Sequence, residues 1–381
     1  MRACTVVFVI VAWTTLSAVA TAQQREPYVL YRQVQDDSDK AAYGASAIDG
    51  ESENVVERFI ASVNSARVDW SDDRNKNSLV MFLLTGGDAR TVSSAVADAS
   101  KDEKGSSLIE KSLAFATSDR HAKPEEFAAI DPKLASPEIA GAVAFAEARQ
   151  LVGYDRSRAV EKLTVATILA PGGLIEEAAL RQQLFLLDKK TEIERVERIA
   201  YRYLGRFPKS RYAENFLQRF RRLVEDIWAD REGASRLDLI EMVDGLPPEI
   251  RSDIIMRIAR SSLLRGDHDG ARISVRTICD KTPGSAQPRA RCRLYRWLAL
   301  GIDGSETEAG APAVDADSIG LSDEDRLLKA CADSLRASAV ESGPTSVMAL
   351  DAQPQRDEDP VEARAIRDRM AEADKVLSKA P

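Results

Sequence analysis

The sequence predicts an all-α protein: a helical-hairpin solenoid of tetratricopeptide-like type, with flexible N- and C-terminal flanks. Three observations predict it. From about Leu79 to Leu300 apolar residues recur with helical period, and β-branched runs are scarce. Five prolines, Pro132, Pro171, Pro208, Pro247 and Pro283, then stand 39, 37, 39 and 36 residues apart. The approaches "AVEKLTVATILAP", "VERIAYRYLGRFP" and "ARISVRTICDKTP" each begin on a small or branched apolar residue twelve before the proline: Ala159, Val196 and Ala271. A proline just past a helix cannot continue it and biases its predecessor to extended backbone. Spacing of this order suits a helix–turn–helix repeat, for which tetratricopeptide units run to about 34 residues. A helical bundle with unrelated proline spacing is the alternative, and it is all-α as well.

Taken in chain order, residues 1–22 have the anatomy of a secretory signal peptide. Arg2 precedes an apolar run from Val6 to Leu16, and Ala20-Thr21-Ala22 places small residues where a signal peptidase cuts. An uncleaved anchor is the competing reading, since Ala3 to Ala22 is just long enough to span a bilayer. No later segment is apolar for 18 residues, so no membrane insertion is expected after cleavage. Residues 23–78 read as a polar N-terminal segment with one amphipathic piece, "NVVERFIASVNSARV". Residues 79–300 form the helical-repeat domain. Its clearest helix is "EIERVERIAYRYLGRF", in which Ile193, Val196, Ile199, Ala200, Tyr203, Leu204 and Phe207 make one stripe that must be buried. The phrase "RFPKSRYAENFLQRF" predicts a joint where Phe207 and Tyr212 pack across the turn and Ala213 permits close helix approach. The tryptophan and glycine marks of a standard repeat are missing, so the repeats are degenerate. Residues 301–321 have the Gly, Ala, Ser and acidic content of a linker, and 322–381 read as a helical, partly disordered tail.

Charge and chemistry exclude several classes. The net charge of −8 becomes −9 once Arg2 leaves, which argues against nucleic acid as a partner. His121 and His268 sit among aspartates without a nucleophile, and no Gly-rich phosphate loop, serine elbow or paired-cysteine metal spacing occurs. "LTGGD", Leu84 to Asp88, lacks the lysine of a phosphate loop; Gly86-Gly87 ends one helix, with Asp88 or Thr91 capping the next. "DADSIGLSDEDR" imitates a calcium loop but carries Ile319 and Arg326 at ligand positions. Glu176 and Glu177 are neighbours on a helix, about 100° apart, and do not converge as a glycosidase pair would. Glu176 suits the helix dipole and Glu177 an ion pair with Arg181. The expectation is a non-enzyme without cofactor or metal. Once Cys4 is removed, Cys279, Cys292 and Cys331 remain, with Cys279–Cys292 the closest pair for a disulfide. Three buried thiols are the alternative.

One stretch has the composition of a docking surface. Between Arg195 and Arg222 nine basic residues face two acids, +7 in 28 residues, with tyrosines and phenylalanines interleaved. Arg195, Arg198, Arg202, Arg206, Arg211, Tyr212 and Arg219 are the candidate contacts for an acidic protein segment. A solvated face neutralised by neighbours such as Glu225 and Asp226 is the plainer reading.

"ILAPGGLIEEAALRQQLFLL", "VERIAYRYLGRFPKSRYAENFLQRF", "LTGGDARTV" and "AAIDPKLASPEIAGAVAFAEARQLV" resemble the MotC family of periplasmic motility proteins from rhizobia-type α-proteobacteria. The resemblance covers roughly Leu79 to Asp230, continues more weakly to about Leu300, and is poor in the flanks. It implies a non-catalytic periplasmic accessory factor of the flagellar motor, required for rotation and bound to the periplasmic part of the stator protein MotB. A generic periplasmic scaffold for envelope protein assembly is the alternative, and an enzyme built on a helical solenoid a distant third.

Overall fold

The computed structural model describes residues 26–44, 50–101, 106–117, 135–188, 190–279, 286–301 and 321–341. Every regular element among them is helical. The chain divides into a unit ending at Leu321 and a second beginning at Ser322. The signal-like segment, His121, Pro132, Pro283, most of the acidic linker and the tail beyond Glu341 lie outside the described residues.

The first unit opens with α1 (Pro27–Ala42) and α2 (Gly50–Val63), followed by α3 (Asp73–Leu84). Pro27 occupies the first turn of α1, where its missing N–H costs nothing. Asp72 caps α3 through the Arg74 N–H at 2.9 Å. A 3-10 turn, Ala89–Val92, then leads into α4 (Ser93–Ala99) and α5 (Ser106–Thr117). The "LTGGD" segment behaves as its residues predict. Gly86 takes φ +106 after α3, and the Asp88 carboxylate accepts the Arg90 N–H at 3.0 Å.

The hairpins follow. They comprise α6 (Pro137–Leu151) with α7 (Arg156–Leu169), α8 (Leu174–Leu186) with α9 (Ile193–Arg206), and α10 (Ala213–Ala229) with α11 (Ser235–Asp244). Next come α12 (Pro248–Leu264) with α13 (His268–Cys279), and finally α14 (Ala286–Gly301). Pro171, Pro208 and Pro247 each follow the second helix of a hairpin. The packing has the signature of a stacked array. First helices touch in succession, α6 to α8, α8 to α10, α10 to α12 and α12 to α14, while α9 touches α11 and α11 touches α13. This is the arrangement the proline spacing predicts.

The α9 stripe is buried as its periodicity requires: Ile193, Val196, Ile199, Ala200, Tyr203, Leu204 and Phe207 are all in the core. Tyr203 stacks on Phe216 of α10 with ring centres 3.7 Å apart. Phe207 does not pair with Tyr212 in the way the joint sequence suggests. Its ring neighbours are Tyr203 and, just past α1, Tyr43 at 5.4 Å, while Tyr212 lies beneath guanidinium groups.

The boundary expected at residue 78 is not a packing boundary. Leu30 and Tyr31 of α1 and Phe59 and Val63 of α2 share one apolar cluster with Leu79, Leu83, Ile139 and Val143. Composition hides this because α1, "PYVLYRQVQDDSDKAA", places its few apolar residues in its first turns and reads as polar overall. The second unit is described by α15 (Asp323–Glu341), which carries Cys331 as an exposed free thiol. Cys292 on α14 is disulfide-bonded, and the side chain of Cys279 lies outside the described residues.

Candidate functional site: the charged joint between repeats

The basic stretch converges on the joint where α7 ends and α8 begins. Gly172 turns the chain with φ +85, and Gly173 leaves the start of α8 without a capping side chain. Glu176 and Glu177 follow in the first turn, and both are fully buried. Burying an ionised carboxylate is costly unless charge and hydrogen bonds surround it, so its partners are the informative feature.

Glu176 receives the Gly172 N–H and two guanidinium groups from α9, Arg202 Nε at 2.5 Å and Arg206 Nη1 at 2.7 Å. Arg202 also donates to the Thr167 carbonyl at 2.8 Å, closing one of the open carbonyls near the end of α7. Glu177 accepts from the Tyr203 hydroxyl at 2.6 Å and Ser210 Oγ at 3.2 Å, and lies 3.4 Å from Arg181 Nε. Burial and the Glu177 carboxylate together push the Tyr203 hydroxyl well above the ordinary tyrosine range. The expected roles of the two glutamates, helix-dipole partner and i,i+4 ion pair, are therefore present, but they are the lesser part. These carboxylates fasten α9 and the turn at Pro208 to the start of α8.

A contact from far away completes the joint. Asp39 of α1 accepts the Leu174 N–H at 2.7 Å, supplying the cap that Gly173 cannot. Burial raises its carboxyl above the usual range against the opposing effect of that hydrogen bond. Tyr43 donates to the Gly172 carbonyl at 2.8 Å while its ring meets Phe207. A side chain on Gly173 would strike the Asp39 carboxylate, and one on Gly44 the backbone of Lys209. At Gly44, with φ +82 and the Lys209 backbone in the way, only glycine fits, whereas at Gly173 a side chain would have to displace the Asp39 carboxylate.

Of the seven residues expected to form a docking face, several have internal partners. Arg202 and Arg206 hold Glu176, and Arg219 donates to the Leu187 carbonyl at 2.7 Å. Tyr212 lies against the guanidinium carbons of Arg181 and Arg211, at 4.3 and 5.4 Å. The neighbouring Arg221 bridges Glu214 and Asp253 of α12. The neutralising acids are thus not the Glu225 and Asp226 that proximity in sequence suggests; Glu225 pairs with Arg257. Arg195 and Arg198 make no ion pair among the described residues, and Arg198 and Arg211 are exposed. No local signal marks Asp39 and Tyr43 as partners of this joint, because the contact spans about 130 residues.

A second joint repeats the logic. Arg236, almost fully buried on α11, makes a two-pronged pair with Asp267 at 2.7 and 3.0 Å and lies 4.9 Å over the Trp228 ring. Asp267 also accepts the Gly270 N–H, capping the region where α13 begins. Burial pushes the Asp267 carboxyl up, but the Arg236 and Gly270 hydrogen bonds outweigh it and hold the group below its usual range. His268 begins α13 beside this pair, half-buried. Among the described residues no cluster of His, Cys, Asp and Glu suits a metal ion, and no helix is long and apolar enough to cross a membrane.

Charged side chains here hold neighbouring repeats together. The profile of the MotC family, described as chemotaxis protein MotC, matches residues 1–380. The chain belongs to the MotC family. The chemotaxis protein MotC of Rhizobium meliloti (strain 1021) is 24% identical over 326 residues, which cover 84% of this chain and 73% of that protein. No solved structure matches. The family resemblance legible at the proline joints extends over both flanks. It places the chain in a chemotaxis and motility family, which is not a known family of enzymes.

Proposed function

We propose that this chain is a periplasmic accessory protein of the flagellar motor, required for rotation, that binds and stabilises the periplasmic domain of the stator protein MotB. Membership of the MotC family carries the reading. The signal-like segment at residues 1–22 supports export, and the stacked hairpins supply the extended surface by which such arrays hold protein partners. Within the basic stretch, the uncommitted Arg195 and Arg198 on α9 and the exposed Arg211 beyond it are the contacts proposed for an acidic partner surface.

Two measurements test this. Deleting the gene is expected to abolish swimming while leaving assembled flagella; cells without flagella would instead mean a role in assembly. The mature protein is expected to retain the purified periplasmic domain of MotB on a column. The double reversal Arg195→Glu/Arg198→Glu is expected to weaken that capture without changing the helical signal. Failure of the wild-type chain to retain MotB sinks the partner assignment, and equal retention by the variant removes the α9 arginines from it.

A further inference from the structure

A cleft of about 290 Å³ opens between α1, α3 and the start of α6, away from the charged joint. Met81 and Ile139 provide apolar wall, and the rest is polar and rich in hydrogen-bond donors: Tyr28, Arg32, Gln35 and Arg74. Four of the polar groups are already committed, among them Ser78 Oγ to the Asn75 carbonyl at 2.7 Å and the Tyr31 hydroxyl with Thr85 Oγ1 at 2.9 Å. Arg74 forks onto Asp72 at 2.7 Å with its guanidinium 4.2 Å over the Tyr28 ring, and Asn77 donates to Ser136 Oγ at 3.0 Å. Others are not. Among the described residues the Tyr28 hydroxyl and the Gln35 amide have no intramolecular hydrogen bond. Arg32 has only a loose approach to Glu138, 4.0 Å, and the two side chains are 71% and 55% exposed.

We propose that this cleft is a binding site for a carboxylate side chain of an acidic peptide segment. Arg32 would supply the charge-assisted hydrogen bond and Gln35 and the Tyr28 hydroxyl its further donors, while the charge of Arg74 is already matched by Asp72. The volume lies at the small end of ligand pockets and accommodates one or two side chains better than a whole cofactor. Glu138 is the acid that opposes such a ligand. It lies 4.0 Å from Arg32, and that separation between two exposed side chains makes it a weak competitor. Any partner with an exposed acidic segment meets these requirements, so this site is tested separately from motor function.

The test uses the mature full-length chain and a fluorescein-labelled, capped peptide Ala-Asp-Glu-Asp-Ala, with the amide analogue Ala-Asn-Gln-Asn-Ala as control, at low ionic strength. Saturable anisotropy is expected for the acidic peptide and none for the amide. Arg32→Ala is expected to weaken binding at least about fivefold, in line with a charge-assisted bond. Glu138→Gln is expected to tighten it, which a merely structural role would not do. Arg265→Ala, an exposed arginine elsewhere, should leave it unchanged. Equal binding of both peptides, no saturation at about millimolar peptide, insensitivity to Arg32→Ala, or equally effective competition by free glutarate would each overturn the proposal.

Discussion

Glu176→Gln probes the joint most directly, because it deletes a buried charge and almost no volume. The carboxylate is 0% exposed and takes Arg202 at 2.5 Å, Arg206 at 2.7 Å and the Gly172 N–H. Breaking a buried ion pair by removing one partner costs on the order of 3–5 kcal/mol when the other charge is stranded. Here the stranding is partial. Arg202 and Arg206 are 35% and 47% exposed, so both can turn to water, and Arg202 keeps its bond to Thr167. The carbonyl of the introduced amide still accepts a hydrogen bond. The expected loss is therefore about 2–3 kcal/mol. Urea unfolding followed by helical circular dichroism measures the whole, and hydrogen exchange locates it. In a stacked array the loss stays near its origin, so amides of Leu174–Leu186 and Ile193–Arg206 should exchange faster while those of Pro248–Leu264 do not. An unchanged midpoint would refute the claim that Glu176 fastens these helices. A loss spread evenly over the array would refute its local character.

The other predictions concern the clasp and the second joint. Gly173→Ala is expected to destabilise by about 1–3 kcal/mol, because the new methyl collides with the Asp39 carboxylate; exchange at Tyr43 and Gly44 should rise, and an unchanged clasp would show that Asp39 yields freely. Asp267 has its carboxyl held below the ordinary value, so its contribution is complete above the unfolded value of about 3.9 and is lost as pH falls through the folded value. Asp267→Asn should therefore flatten the fall of the urea midpoint below about pH 4, and an unaltered acid limb would exclude this group as its source.

Legibility in the sequence follows distance along the chain. The α9 stripe, the Asp88 cap, the Glu177–Arg181 pair and the proline-terminated hairpins all depend on residues within a turn or a repeat of one another, and the structure contains each of them. The basic stretch is readable as an excess of charge, but its partners are not. Arg202 and Arg206 meet a glutamate 26 and 30 residues earlier, and Arg221 an aspartate on the next hairpin. By composition the region before residue 79 is only a polar segment. Its apolar residues are few, and their juxtaposition with Leu79, Leu83 and Val143 is what makes them core.

The sequence by itself determined the class of architecture, because helical period and proline punctuation are local consequences of backbone geometry. It also carried the family, through the segments around Pro171 and Pro208. Tertiary structure alone decided what the charges do. Two carboxylates that the sequence explains by a helix dipole and an i,i+4 ion pair are buried where α8, α9 and the turn at Pro208 meet, and low local polarity forces each to be matched by arginine, tyrosine or serine. It likewise decided that α1 reaches this joint and caps it with Asp39, an encounter that only the folded chain brings about.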